Sequence, residues 1–436
     1  MTVKPPFGRS MRQVHFRFHP SYTPLNHGSF GAFPDVVQQH QDALTKLCHE
    51  RPDTFIVYDL PNLVDQSRQA IAPLLGVDVE EVVFVPNATT AVNTVLRNLK
   101  WEKGDVVIHF STIYGACHKT LASIQEQEPL ETVCIDLEYP IEDDEIVKRL
   151  KAAVKTVRSE GKNVRLAMFD TVLTFPGARM PWEVLVKACK EMDVLSLIDG
   201  AHGIGQIDLT HLGSVGPDFF VSNCHKWLYT PRGCAIFHVP LRNQHLIRTS
   251  LPTSHGYQYL SGPPDQTRKS RFVYLFEFVA TTDYTPYFCV PTAIKFRQEV
   301  CGGEEAIRKY CFNLAKVGGK RVAEILGTQV MDTESGTMRG CCFANIELPV
   351  KFKAIQGEGS ETEGSNKIFS TADAGKIQKW LNLTAVKEFD TYLQIAFHAD
   401  ILWVRLSAQI YLEEDSFEWI GFRLKELCER VNKGEV

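Results

Sequence analysis

No run in the 436-residue sequence approaches the ~18 consecutive apolar residues that mark a membrane span, so none is expected. Met1 to Gln13 carries several basic residues but no apolar stretch, so no secretory signal is expected there. The twelve cysteines never fall in a C-x-x-C spacing. That removes the commonest zinc and thioredoxin-like patterns, and no metal site is expected. With irregular spacings in a long chain, they read as buried free thiols in a reducing compartment, the cytoplasm. A basic stripe is also missing: the net charge is −5, with both signs mixed along the chain, which argues against a nucleic-acid partner. There are no repeats and no sustained heptads.

What is present is ordinary soluble composition, 44% hydrophobic and 23% charged, at roughly three times a typical domain length. Such a chain buries enough apolar surface to fold without staples. Residues 1–35, rich in proline, glycine, serine and aromatics, read as an extended arm whose aromatics must pack somewhere. A helical pattern over 60–75 ends at Gly76. Short apolar runs then alternate with helical stretches: Val82–Val85, Val106–Phe110, Val133–Leu137, Leu166–Phe169, Val194–Ile198, Phe219–Val221 and Cys234–Val239. That alternation predicts an α/β fold with a mainly parallel seven-stranded sheet covered on both faces. Residues 36–290 would form this large domain. Residues 250–285 are turn-rich and basic. A smaller α+β domain would follow over 291–436, with strands near Cys341–Glu347 and Leu402–Leu406 and a closing helix near Phe417–Val431. Residues 353–375 read as a mobile insertion.

Ligands of such sheets bind beyond the C-terminal strand ends, and three of those ends carry chemistry. After Val85, Ala88, Thr89 and Thr90 open a helix, where free N–H groups and hydroxyls suit a phosphate. Threonine there is also an ordinary N-cap. After Ile198 come Asp199-Gly200-Ala201-His202. A carboxylate at a buried strand end needs a partner, and a cationic pyridinium nitrogen is one. Taken alone, the segment also fits a structural Asp–His pair. After Val221 come Ser222-Asn223-Cys224-His225-Lys226-Trp227. A partly buried lysine has a lowered pKa and is competent as a Schiff-base amine and proton carrier. Ser222 and His225 are further phosphate candidates, and Trp227 reads as packing. An isolated lysine there would be a solvated strand terminus. Phosphate cup, ring-nitrogen acid and amine in order, each at a strand end, point jointly to pyridoxal phosphate (PLP).

These segments resemble the class V branch of fold-type I PLP enzymes, over nearly the whole chain. The signatures are Asp199-Gly200-Ala201-His202 and Ser222-Asn223-Cys224-His225-Lys226-Trp227. Leu25-Asn26-His27-Gly28-Ser29-Phe30-Gly31, Arg51-Pro52-Asp53, Thr282-Asp283 and Arg405-Leu406-Ser407-Ala408-Gln409-Ile410-Tyr411 resemble the isopenicillin N epimerase-like subgroup. The resemblance implies that Lys226 carries PLP and removes the substrate α-proton, Asp199 pairs with the ring nitrogen, and His202 faces the ring oxygen. It implies phosphate contacts from Ala88, Thr89, Ser222 and His225, and ring stacking by Tyr114. Tyr114 is also a candidate acid for the leaving group. Thr282 would reach the phosphate of a neighbouring subunit, making a homodimer with shared active sites. Arg405 would hold the substrate α-carboxylate through its guanidinium fork, with Asn26 and His27 closing the cleft. Asp170–Thr174 departs from the family pattern near the ring oxygen.

Within the subgroup, the likeness to the lyases of ergothioneine biosynthesis implies C–S cleavage of a cysteine-conjugate sulfoxide, hercynylcysteine sulfoxide. Desulfurases of the family use a mobile C-terminal cysteine, whereas here no cysteine lies between Cys342 and Cys428. Epimerisation and transamination stay open at this point. Phe30, Phe33, Phe55, Tyr58 and Asp53 are candidates to receive a trimethylammonium group, although such aromatics are commonly core.

Overall fold

The computed structural model describes residues 6–259, 269–354, 360–363 and 366–436. Seven strands form the main sheet: β1 (Val82–Val85), β2 (Asp105–Phe110), β3 (Glu131–Ile135), β4 (Asn163–Asp170), β5 (Leu195–Asp199), β6 (Phe219–Asn223) and β7 (Ala235–His238). They stand in the order β1-β7-β6-β5-β4-β2-β3. β7 alone runs antiparallel to its neighbours β1 and β6. All seven expected apolar runs are strands, with β3 two residues earlier than its apolar run suggested.

Except in the edge strand β3, alternate residues of the strands enter opposite cores, as a two-residue period requires. Phe220, Ile198 and Phe84 lie in one, while Phe219, Val221, Leu197 and Val85 lie in the other. Helices Ala88–Asn98 and Gly115–Gln125 cover the second face and start immediately beyond β1 and β2. Both starts therefore stand at the C-terminal edge of the sheet.

A second sheet is antiparallel, in the order β12-β13-β8: β8 (Phe343–Glu347), β12 (Gln394–His398) and β13 (Ile401–Ser407). Helices Glu304–Leu326 and Glu414–Asn432 supply its buried apolar cover. The 353–375 segment is not a featureless insertion where it is described. β10 (Ser360–Glu363) pairs with β11 (Asn366–Ser370), which pairs with β9 (Lys351–Lys353). Residues 355–359 and 364–365 of that segment lie outside the described residues, as do Pro263, Pro264 and Arg268 of the basic stretch.

The N-terminal arm is not simply extended. It forms a helix over Arg9–His15 and a single turn over His27–Phe30. Its aromatics do find a place: Phe16 meets Tyr411 edge-on at 4.8 Å. Leu25 O accepts from Ser407 N at 2.8 Å, and Gly28 N donates to Ser407 Oγ at 3.2 Å. The arm thus runs from β13 to the segment that follows β6. Contact there is so close that a Cβ on Gly31 would lie 1.7 Å from the His225 carbonyl oxygen, and Gly31 has φ +69°. Only glycine passes easily at that point.

Candidate active site

Three strand ends and the arm converge on Lys226. The lysine sits in the short helix Cys224–Trp227 directly after β6. Burial lowers its pKa to about 8, with Asp199 and Asp170 opposing the fall and Arg405 adding to it. Its Nζ lies 3.2 Å from His202 Nε2. Thr174 Oγ1 approaches the same nitrogen at 3.5 Å.

Asp199 is almost fully buried, and burial raises its pKa. One oxygen accepts from Ala201 N at 2.9 Å, the other from the Cys117 thiol at 3.5 Å. Asp170 lies beside it. The two residues are in register on neighbouring parallel strands, so both side chains leave the same face about 5 Å apart at Cα. Burial first, then Asp199, holds the Asp170 carboxyl well above the usual range. Among the described residues neither carboxylate has an ion-pair partner. A buried carboxylate without a counter-ion is unfavourable unless a ligand supplies the charge, and a protonated pyridine nitrogen does. Sequence reasoning missed Asp170 as part of this group.

The phosphate end is partly as expected and partly different. Ala88 N donates to Asn223 Oδ1 at 2.9 Å, and Thr90 N donates to the N-cap Asn87 Oδ1 at 2.9 Å. Thr90 Oγ1 also donates to Asn87. Of the three expected contacts, Thr89 therefore keeps its N–H and hydroxyl for a ligand. Ser222 is a correction. Its hydroxyl donates to Gly200 O and accepts from Ile204 N, so it braces the Asp199–His202 turn from the other face of the sheet. Asn223, one residue on, lies on the Asp199 face by strand parity, and its Oδ1 accepts from Ala88 N. His225 Nδ1 bonds the Cys234 carbonyl at 2.9 Å, leaving Nε2.

Tyr114 precedes helix Gly115–Gln125 and is 46% exposed. Cys117, one turn further, touches Asp199, so Tyr114 stands at the mouth of the site. Thr282 is exposed in a loop before Thr285.

At the opposite end, Arg405 on β13 is 1% exposed. Its Nη2 donates to Asn26 Oδ1 at 3.0 Å and Ser29 Oγ at 3.1 Å, and Nη1 donates to Thr174 O. Its Nε has no partner, and no carboxylate pairs with it among the described residues. Burial lowers its pKa to about 10. The guanidinium lies over the Phe343 ring at 4.4 Å. Asn345 exchanges two hydrogen bonds with Gly177, which fixes the loop that presents Thr174. Asn26 thus stands against the Arg405 guanidinium. His27 does not: it is buried, bonds the Tyr411 hydroxyl at 2.8 Å, and packs on Trp227 at 4.9 Å. It supports the site from below. Of the candidate aromatics, Phe55 is buried against Phe288 and Phe33 packs on the core, whereas Phe30 and Tyr58 are 65% and 69% exposed. Asp53 is exposed.

Among the described residues no cluster fits a metal ion, and no helix is long and apolar enough to cross a membrane.

The aminotransferase class-V family model matches residues 33–268. The L-cysteine desulfhydrase-like protein lolT1 of Epichloe uncinata is 35% identical across 99% of this chain and 98% of its own. Hercynylcysteine sulfoxide lyase of Schizosaccharomyces pombe is 30% identical across 97% and 98%. The cystine C–S lyase C-DES, solved with its product cysteine persulfide, superposes with TM-score 0.73 at 19% identity, over 93% of this chain and 97% of that one. The chain belongs to the aminotransferase class-V family, with the fold-type I architecture and pyridoxal phosphate as cofactor. It is a PLP-dependent carbon–sulfur lyase.

Proposed function

We propose that the protein cleaves the β C–S bond of hercynylcysteine sulfoxide, releasing pyruvate and ammonia and a sulfenate on the route to ergothioneine. The observation that carries this reading is the buried Arg405 clamp, which has no carboxylate partner among the described residues and donates to Ser29, the sequence neighbour of the exposed Phe30. The clamp suits an α-carboxylate, and an exposed aromatic next in sequence to Ser29 is a side chain of the type that receives a trimethylammonium group.

Bound PLP supplies the electron sink for the pair left at Cα. Lys226 is the attachment amine and, once displaced, takes the α-proton on Nζ. Asp199 would pair with the pyridine nitrogen, and Thr89, Asn223 and His225 would hold the phosphate. Arg405 and Asn26 fix the carboxylate end. Tyr114, at the open side, gives a proton to the departing sulfur. Cys341 and Cys342, near Arg405, are fully buried. Neither is placed to carry sulfur away, which supports lysis over desulfuration. We further read residues 1–35 as an arm, 36–290 as the cofactor-binding domain and 291–436 as a small domain. The reading includes a cytoplasmic homodimer in which Thr282 serves the neighbouring site; the irregular cysteine spacing supports the reducing compartment.

A second reading, desulfhydration of free L-cysteine, is favoured by the 35% relative of that name. A pyruvate assay on hercynylcysteine sulfoxide and on cysteine separates the two. The proposal expects the sulfoxide to have the higher kcat/KM. Pyruvate from cysteine alone would establish the second reading, and racemised or transaminated product without pyruvate would overturn both.

A further inference from the structure

Trp227 reads as packing by sequence, and its ring does pack, against His27 at 4.9 Å and Phe343 at 5.4 Å. Its nitrogen does something more specific. Trp227 Nε1 lies 3.2 Å from His202 Nδ1, with both side chains about 1% exposed. An indole N–H donates and never accepts. The contact therefore requires a lone pair on His202 Nδ1. It excludes both the Nδ1–H tautomer and the imidazolium, which would set N–H against N–H. The proton of His202 must then sit on Nε2, the nitrogen 3.2 Å from Lys226 Nζ. An N–H in that place can donate to a neutral amine but opposes an ammonium, whose hydrogens have nowhere to bond on that side.

We propose that Trp227 is a positioning residue: its indole N–H fixes His202 as the Nε2–H tautomer, which holds Lys226 as the free amine that takes up the cofactor. Neither ring is free to turn away. The Trp227 carbonyl accepts from Arg297 Nη1 at 2.7 Å, and a Cβ on Gly28 would come within 3.1 Å of the indole. His202 is pinned through its carbonyl, which accepts from Gln206 Nε2 at 2.7 Å, and by Phe343 edge-on at 5.4 Å. Other charged groups also face this centre. Asp199 on β5 and Asp170 on β4 favour the lysine ammonium, and Arg405 on β13 opposes it. Arg405, His27 and His225 act on His202 in the same sense as Lys226 does. Trp227→Phe leaves all of these in place and removes one N–H. In the uptake step the amine nitrogen adds to the aldehyde carbon of PLP and water leaves, with nothing oxidised or reduced.

The test uses the full-length chain stripped of cofactor, with PLP added back and uptake followed by absorbance across pH. In Trp227→Phe, the pinned His202 ring is free to take the Nδ1–H tautomer, which presents the Nε2 lone pair to the lysine and stabilises the ammonium. The midpoint of the uptake-rate profile then rises by about one pH unit, and uptake near neutral pH slows about tenfold. An unmoved midpoint, with uptake slowed equally at every pH or not at all, overturns the proposal. A measurement on the unaltered cofactor-free chain decides independently of that variant's folding. Nitrogen-15 spectra of labelled histidine should show His202 with a pyridine-like Nδ1 and a pyrrole-like Nε2. The reverse tautomer, or an imidazolium, overturns it.

Discussion

The two ends of the site carry opposite unpaired charges. At one end Asp199 and Asp170, each 4% exposed, share a sheet face and form no ion pair among the described residues. At the other, Arg405, 1% exposed, is held by an amide, a hydroxyl and a carbonyl, with no carboxylate. A structural ion pair would join two such groups, because an uncompensated buried charge destabilises a fold. Keeping them apart leaves room between them for a ligand that is cationic at one end and anionic at the other. A protonated pyridine ring bonded to an amino acid has that distribution. Lys226, between the ends, feels both.

The sharpest way to break this comparison is at the cationic end. Arg405→Lys keeps the charge but loses the fork, and kcat/KM for the amino-acid substrate should fall about hundredfold, mainly through KM. A loss confined to kcat would mean that Arg405 does not hold the carboxylate. At the phosphate end, Asn223→Ala should weaken PLP binding about tenfold. Ser222→Ala should leave binding unchanged and lower stability by about 1–2 kcal/mol, since it strips partners from Gly200 O and Ile204 N. Equal effects of the two on PLP affinity would contradict the opposite-face assignment.

The smallest effect is at the anionic end. The Asp170 and Asp199 carboxyls have folded-state pKa values above their unfolded ones. Between those values the folded chain binds more protons, so stability of the cofactor-free protein falls as pH rises, by up to about 1.4 kcal/mol per unit per group. Asp170→Asn should flatten that fall in urea unfolding at pH values above the ordinary aspartate pKa of about 3.9. An unchanged slope would remove Asp170 from the titrating pair.

Much of this was legible in the sequence. The inner strands announced themselves as apolar runs because both faces of the sheet are buried there, whereas the edge strand β3 is largely uncovered, and Lys226, Asp199 and Arg405 stood in motifs. Asn223 was legible in principle: Phe219, Val221 and Asn223 alternate with Phe220 and Ser222, so strand parity alone separates the two candidates. Asp170 was hidden because, unlike Asp199, it stands in a segment that departs from the family pattern, and its place beside Asp199 depends on strand order. β12 was hidden because Gln394, Ala396 and His398 leave it half-buried and without an apolar run. The Tyr411–His27 and Trp227–His202 contacts were out of reach for another reason. They join residues 384 and 25 positions apart, and no local pattern encodes such pairings.

The most direct test of the central claim is to reduce the PLP-loaded enzyme with borohydride and map the modified peptide by mass spectrometry. The account predicts loss of the yellow colour and a single reduced pyridoxyl adduct on Lys226. An adduct on any other lysine, with Lys226 unmodified, would contradict it.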